Sequence, residues 1–279
     1  MRIDDALTWA KFLLAGSDSA LLDAQVLLAH VLGKETIYLM TWPERDISRE
    51  QKTEFEDLVQ KRINGVPVAH LVGMREFWSL PLKVNNSTLI PRPDTEILVE
   101  SALEICTADA DILDLGTGTG AIILALASER PNANCTGIDF SHDAVQLASE
   151  NARQLEIKNV LFKQSNWFEN VAGQYDLIVS NPPYIDKNDH HLQQGDVRFE
   201  PLSALVAENS GLADIELIAQ QAVYYLKDGG ALLIEHGFEQ GAMVRGILKN
   251  HCYSRIKTVK DYGGNDRVTM AVYTGKTDG

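Results

Sequence analysis

The chain has 279 residues, 45% of them hydrophobic, which is enough for a packed core and for either two domains or one large one. Its 25 basic and 39 acidic residues give a formal charge of −14, which argues against a nucleic-acid substrate and favours a small molecule or a basic protein. The longest purely apolar run, Ala121 to Ala127, is far shorter than the roughly 18 residues of a membrane span, and the first residues are acidic where a signal peptide would be basic, so we expect a cytoplasmic protein.

Residues 1–75 are predicted to contain helices only. Ser48 and Gln51 have the spacing of a capping box, and apolar residues then recur at helical intervals from Phe55 until Asn64-Gly65. We predict a small N-terminal all-α domain over 1–75. Residues 76–90 mix aromatic and β-branched residues with Pro81, which predicts a β-hairpin linker.

From residue 91 to residue 279 the pattern alternates between strand and helix, which predicts an α/β domain with a mostly parallel sheet covered on both faces. The predicted parallel strands are the short apolar runs at 112–115, 135–138, 160–162, 177–179 and 231–234. Residues 268–273 follow a glycine-containing turn. We predict that they form an antiparallel last strand beside 256–259.

The first of these strands runs into a glycine-rich turn, Gly116-Thr117-Gly118-Thr119-Gly120, and a helix follows at once. Glycines there let the backbone approach a ligand, and the helix N-terminus attracts negative charge. The glycines, with Ala121, also satisfy the dinucleotide fingerprint G-x-G-x-x-G/A. A nicotinamide-dependent oxidoreductase therefore stays open at this point.

The next two strands are also followed by polar or aromatic residues. Asp139 ends the second strand, where an acid can take both ribose hydroxyls of an adenosine. Asn166-Trp167-Phe168 follows the third, where an aromatic ring can flank an adenine. For each aromatic alone, core packing is the better explanation.

The fourth strand is followed by Asn181-Pro182-Pro183-Tyr184. A planar –NH₂ group needs two acceptors, and the Asn181 side-chain oxygen and the Pro182 carbonyl can supply them. Consecutive prolines stiffen the loop and remove two donors; read alone, they also serve simply to end a strand. Because ligands of open α/β sheets bind at the carboxyl ends of strands, all four segments should meet in one crevice.

These residues carry a family resemblance over nearly the whole chain. The motifs are Ile90 to Glu96, Asp114 to Gly120, Asn181 to Tyr184 and Gly195 to Pro201, the last being the most specific. Together with the N-terminal helical domain, they resemble the glutamine-N5 methyltransferases that modify class-1 peptide chain release factors on the Gln of a Gly-Gly-Gln loop. Asn-Pro-Pro-Tyr alone is shared with adenine-N6 methyltransferases of DNA and RNA, which remain the alternative.

The resemblance implies a Rossmann-like class I methyltransferase fold and S-adenosylmethionine as cofactor, with S-adenosylhomocysteine as product. It implies a cofactor site made by Gly116, Thr117, Gly118, Thr119, Gly120, Asp139, Trp167 and Asn181. It implies that Asn181, Pro182, Pro183 and Tyr184 hold the glutamine amide, with Asn181, Pro182 and Tyr184 catalytic. The N-terminal helical domain would recognise the release factor, without nucleic acid or membrane, and we expect a monomer.

Two positions depart from the family pattern. Position 166 is Asn where Asp is usual, and His190 replaces a Pro. His190 and His191 lack acidic ligand spacing, and Cys106, Cys135 and Cys252 are widely separated, so we predict neither a metal site nor a disulfide frame.

Overall fold

The computed structural model describes residues 1–189, 192 and 195–275. They divide into two compact units. The first contains residues 1–74 and the described part of 193–199, and the second contains the described parts of 75–192 and 200–279. Among the described residues, no helix has both the length and the apolar character needed to cross a membrane.

The first unit is helical, as predicted. Its helices are α1 (Ile3–Leu13), α2 (Ala20–Leu32), α3 (Thr36–Thr41), α4 (Arg49–Ile63) and α5 (Val68–Val72). The capping box is present at the start of α4, because Gln51 N donates to Ser48 Oγ at 3.2 Å and Ser48 N donates to Gln51 Oε1 at 2.9 Å. Leu27 and Phe55 are fully buried in the core of this unit.

An arginine holds a distant segment of the chain in this unit. Arg62 donates from Nε to Asp23 Oδ2 and from Nη1 to Asp196 Oδ1, both at 2.8 Å. Asp196 lies in the 3₁₀-helix Gly195–Phe199. Asp23 is buried, so its charge-assisted bond to Arg62 offsets the cost of its desolvation.

The hairpin that follows is shorter than the predicted linker. Strands β1 (Met74–Phe77) and β2 (Leu80–Lys83) turn at Trp78 and Ser79, whose φ angles are +52° and +58°. Positive φ at two successive residues is the geometry of a tight hairpin turn, and neither residue is the Gly or Asn that usually signals it. Residues 84–92 form no strand or helix, although the pattern predicts a hairpin up to residue 90.

A seven-stranded sheet forms the centre of the second unit. Its strands are β3 (Asp111–Leu115), β4 (Asn134–Asp139), β5 (Val160–Gln164), β6 (Tyr175–Ser180), β9 (Leu226–Glu235), β10 (Tyr253–Lys260) and β11 (Asp266–Tyr273). They lie in the order β10-β11-β9-β6-β3-β4-β5. The five neighbouring strands β9, β6, β3, β4 and β5 are parallel to one another. Strand β11 pairs antiparallel with both β9 and β10. The mostly parallel sheet and its antiparallel last strand are thus confirmed.

The remaining elements cover the sheet and connect its strands. The helices are α6 (Glu96–Ile105), α7 (Ala121–Glu129), α8 (His142–Gln154), α9 (Glu208–Gly211), α10 (Ala213–Ala222) and α11 (Gly241–Asn250), with 3₁₀-helices at Pro93–Thr95 and Leu202–Ala204. A separate parallel pair joins β7 (Ile185–Asp186) to β8 (Val206–Ala207). Successive β3 residues Ile112 and Leu113 are fully buried in different core clusters, as expected for a sheet covered on both faces.

Strand order places the ligand site. The chain passes from β3 outward through β4 to β5 and then returns to β6 on the other side of β3. The order therefore reverses between β3 and β6. The crevice at the carboxyl ends of these strands is where doubly wound sheets bind ligands.

Candidate active site

A cavity of about 350 Å3 lies at this switch point, within the second unit. The segments that follow β3, β4, β5 and β6 all line it, as the sequence predicted. They contribute Gly116, Thr117, Gly118, Thr119, Asp139, Asn166, Trp167, Asn181 and Pro183. The predicted residues Gly120, Pro182 and Tyr184 are not among those that line it.

The glycine-rich turn is shaped by left-handed backbone. Gly116, Gly118 and Gly120 have φ angles of +73°, +55° and +84°, which L side chains rarely adopt. At Gly120 a Cβ would also lie 3.0 Å from Leu124 Cδ1, so this glycine allows α7 to begin close to the turn. The other two glycines bring the turn's backbone to the cavity wall.

Asp139 connects the glycine-rich turn to the end of β4. Its Oδ2 accepts from Gly118 N at 2.9 Å, and its Oδ1 accepts from Ser141 N at 2.8 Å. Burial raises the pKa of Asp139, and the backbone N–H donors oppose that rise. Each carboxylate oxygen has a further lone pair, so Asp139 can hold the turn and still accept from ligand hydroxyls.

Trp167 forms another wall, with a φ angle of +44°. Its backbone oxygen accepts from Ser165 Oγ at 2.7 Å, and its indole N–H donates to Asp214. Burial raises the pKa of Asp214, and the indole donor opposes the rise. Asp214 is a cavity residue that sequence reasoning missed, because it lies in α10 and not after a strand.

The neighbouring Asn166 uses its amide locally, since Nδ2 donates to Glu169 Oε1 at 2.7 Å. This bond would be lost with the Asp that is usual at position 166, and two carboxylates would then face each other. The departure at position 166 is therefore matched by a partner in this chain.

The Asn181 to Tyr184 segment divides between the cavity and the protein interior. Asn181 lines the cavity, and its Nδ2 donates to Thr95 Oγ1 at 3.4 Å. Pro182 is buried. The Tyr184 hydroxyl donates to Glu235 Oε1 at 3.3 Å, and burial raises the pKa of Tyr184 well above its usual range.

Arg92 and Glu200, one from each of the two other motifs of the resemblance, form an ion pair within the second unit. Arg92 Nη2 contacts Glu200 Oε1 at 2.9 Å and Oε2 at 2.8 Å, and Ile90 N donates to Glu200 Oε1 at 3.2 Å. The Glu200 side chain is fully buried, whereas Arg92 lines the cavity. This charge-assisted contact fixes the loop 84–92 over the site.

The part of the chain that the structure describes contains no candidate metal site. No group of three or more His, Cys, Asp or Glu side chains there is arranged so that it could hold a metal ion. His190 and His191 lie outside the described residues. Cys106, Cys135 and Cys252 are free thiols.

This fold and cavity define a Rossmann-like methyltransferase, and residues 107–268 match the family model described as methyltransferase domain. The crystal structure of a methyltransferase from Pyrococcus furiosus has a TM-score of 0.54 at 18% identity, covering 70% of this chain and 89% of its own. At that identity the likeness shows the fold alone.

The particular family is shown by the rest of the chain. Residues 5–73 match the PrmC N-terminal domain. Release factor glutamine methyltransferase from Aliivibrio fischeri is 56% identical, covering 92% of both chains, and that from Shewanella oneidensis is 55% identical, covering 98% of this chain and 96% of its own. The chain belongs to the release factor glutamine methyltransferase family, which confirms the resemblance seen in its motifs.

Proposed function

We propose that this protein transfers the methyl group of S-adenosylmethionine to the side-chain nitrogen, N5, of the glutamine in the Gly-Gly-Gln motif of class-1 release factors. One observation carries the proposal: Asn181 lines the same cavity as the glycine-rich turn, Asp139 and Trp167. A polar amide that can bind an acceptor group is thus next to residues suited to an adenosine cofactor.

The cavity residues fit the cofactor. S-adenosylmethionine supplies an electrophilic methyl group on a sulfonium when it is bound. Asp139 would accept from the ribose hydroxyls and Trp167 would flank the adenine, while the turn from Gly116 to Gly120 would approach with its backbone. A volume of about 350 Å3 lies within the usual range of small-molecule sites.

Asn181 would act on the glutamine amide from the cavity wall, and the carbonyl of the next residue, Pro182, is the proposed second acceptor, although Pro182 is buried and does not line the cavity. Two acceptors would fix the plane of the –NH₂ group, so that its nitrogen would face the methyl group that the bound cofactor supplies. On transfer, the nitrogen would gain the methyl carbon and release one proton to water, and the electron pair of the broken carbon–sulfur bond would leave with sulfur. Positioning of this kind can remove roughly 7–11 kcal/mol of a bimolecular barrier.

The same geometry discriminates against glutamate. A carboxylate would leave both acceptors unpaired and repelled, and sites built on hydrogen bonding discriminate by roughly 10⁴ to 10⁵. The alternative reactions are not favoured: a nicotinamide enzyme leaves Asn181 to Tyr184 unexplained, and a formal charge of −14 is unsuited to nucleic acid.

We assign release-factor recognition to a domain over residues 1–75, with 76–90 as linker and 91–279 as catalytic domain. The first unit supports this assignment because it exposes large apolar side chains. Phe12 is 78% exposed, and Ile37 and Met40 are each 60% exposed. Exposed apolar side chains can bind a protein partner where they form one contiguous patch. We also propose that the protein acts as a monomer in the cytoplasm, where release factors work.

Asn181→Ala tests the proposed role of the amide. We expect turnover to fall about 10²- to 10³-fold, the usual loss when one preorganised hydrogen-bonding partner is removed. Cofactor affinity and the melting temperature should change little. The measurement is methyl transfer to a purified release factor, with mass spectrometry to identify the modified residue and a Gln→Glu acceptor as control. A near wild-type rate, or equal modification of the Glu acceptor, would disprove the assignment.

A further inference from the structure

A buried carboxylate lies beside the proposed acceptor, in a position that the reaction as described does not use. Glu235 ends β9 and is 1% exposed. Because Ile234 of β9 is paired in parallel with Ser180 of β6, Glu235 lies level with Asn181, which directly follows β6. Burying a carboxylate is costly, so its partners show what it does.

The partners of Glu235 connect it to Asn181. Thr95 is 4% exposed, and its hydroxyl lies close enough to the Glu235 carboxyl to lower its pKa. Thr95 Oγ1 in turn accepts from Asn181 Nδ2 at 3.4 Å. Among the described residues, Glu235 Oε2 has no hydrogen-bond partner, so this oxygen is available to accept from the nearby Thr95 hydroxyl.

The direction of these contacts is fixed by chemistry. An ionised carboxylate only accepts, so the Thr95 hydroxyl must donate to Glu235. Its oxygen then accepts from the N–H of Asn181. With Nδ2 committed to Thr95, Oδ1 is the Asn181 atom left to meet a substrate –NH₂ group. A protonated Glu235 can donate to Thr95, and the reversed chain would turn Nδ2 towards the substrate instead.

We propose that Glu235 is a positioning residue that acts through Thr95 to orient the Asn181 amide, so that Oδ1 faces the substrate nitrogen. The inference deepens the proposed function and rests on it. In this proposal Glu235 touches neither substrate nor cofactor. It determines whether Oδ1 or Nδ2 of Asn181 faces the substrate.

The ionisation of Glu235 gives the arrangement a pH dependence. Burial raises the pKa of Glu235 to about 7. The groups facing it are Thr95 and Asp94 of the 3₁₀-helix, Tyr184 after β6, and Arg267 of β11; Thr95, Arg267 and Tyr184 lower this pKa, and Asp94 raises it. The carboxylate form, and with it the productive orientation, is gained as pH rises through about 7.

Glu235→Gln tests the inference, because glutamine keeps the shape but both donates and accepts. We expect kcat to fall roughly 10- to 100-fold, the range for residues that orient a directly acting group, with cofactor affinity unchanged. Thr95→Val should lose as much, and Thr95→Ser should recover most of that loss. The double variant Glu235→Gln/Thr95→Val should lose little more than either single variant, since both break one chain of contacts. Glu239→Gln makes the same chemical change at a nearby exposed position and should keep the wild-type rate.

Two readouts separate positioning from a structural role. The wild-type kcat should rise with pH through about pH 7, whereas the kcat of Glu235→Gln should not rise over this range. By NMR, the Asn181 side-chain amide resonances should titrate with the same midpoint in the wild type and not in Glu235→Gln, with no need for turnover. Melting temperatures show whether each variant is folded.

The outcomes distinguish the inference from the proposed function. A wild-type protein that does not methylate release-factor glutamine overturns both. A wild-type protein that is active, beside a folded Glu235→Gln that keeps its rate or its rise of kcat with pH, overturns the inference alone. Independent, multiplicative losses in the double variant would do the same.

Discussion

Buried acids are concentrated around the candidate site. Asp114, in β3 just before the glycine-rich turn, is fully buried, and its Oδ2 accepts from Thr117 Oγ1 at 2.6 Å. Burial, together with the Asp139 charge, raises the pKa of Asp114 to about 7, although the hydrogen bond from Thr117 opposes the rise. Asp114 Oδ1 has no partner among the described residues. An acid kept here costs stability when it ionises, which is typical of functional sites.

Asp114→Asn should make the protein less sensitive to rising pH. The folded pKa of Asp114, about 7, exceeds the ordinary 3.8, so the native state holds the extra proton and stability falls as pH rises from about 4 to 7. A shift of roughly three units corresponds to at most about 4 kcal/mol. The melting temperature of Asp114→Asn relative to wild type should therefore increase between pH 5 and pH 8, measured without cofactor.

Asp111→Asn, in the same strand, is the matched control. Hydrogen bonds from Lys227 and Asn134 lower the pKa of Asp111 below its ordinary 3.8. The ionised Asp111 side chain therefore stabilises the fold at pH values above 3.8, and this contribution is lost only in more acidic solution. Its melting temperature should run parallel to wild type over that pH range. Parallel curves for Asp114→Asn as well would contradict the assignment of a raised pKa.

At the level of single residues, the sequence predicted what lies directly after the strands. Asp139, Trp167 and Asn181 line the cavity because parallel strands end at one edge of the sheet. Thr95 and Asp214 also line it, but they come from helical segments whose position depends on tertiary packing. Thr95 lies in the Ile90 to Glu96 motif, but nothing in that motif assigns the residue to the cavity, and no local pattern marks Asp214.

At the scale of elements, the loop after β6 is held by α9, a short element whose residues 209–211 form a left-handed turn and not regular helix. Asn209, Ser210 and Gly211 have φ angles of +54°, +56° and +80°. Gln240 donates from Nε2 to Tyr184 O at 3.0 Å and to Ser210 O at 3.1 Å. Gln240 therefore connects this turn to the end of the Asn181 to Tyr184 segment.

Gly211→Ala should displace that segment. A Cβ at Gly211 would collide with the carbonyl of Tyr184 and lie 2.8 Å from Gln240 Nε2. We expect at least a tenfold loss of kcat and a lower melting temperature. Gly229→Ala is the control, since Gly229 has a similar φ of +79° but nothing within 4 Å of an added Cβ. It should cost only about 1 kcal/mol of backbone strain and keep activity. Equal effects of the two substitutions would show that φ strain, and not the Tyr184 contact, is what matters.

Long periodic elements were predictable and short irregular ones were not. The apolar runs and the capping box at Ser48 give the correct sheet and the start of α4 because their signals are local. The turn at Trp78 and Ser79 and the one at Asn209 and Ser210 adopt positive φ without glycine at those positions. Packing imposes these conformations against local preference, so the residue types at these positions do not signal a turn.

For the whole molecule, the two units suggest a division of labour. The cavity is made by residues of the second unit, and the first unit exposes Phe12, Ile37 and Met40. A ligand that binds only the folded form stabilises the region it contacts, by about 2.7 kcal/mol at a hundred times its Kd. Cofactor and release factor should therefore protect different parts of the chain.

Hydrogen exchange read by mass spectrometry can measure this difference. We expect S-adenosylhomocysteine to slow exchange in the segments around 116–120, 139–141 and 165–167, and to leave residues 5–73 unchanged. Adding a release factor should then slow exchange in α1 and α3, which carry Phe12, Ile37 and Met40. A release factor with its Gly-Gly-Gln glutamine replaced should still protect these helices, because they would contact other parts of the substrate. If the release factor leaves residues 5–73 unprotected while methylation proceeds, recognition does not lie in the helical domain.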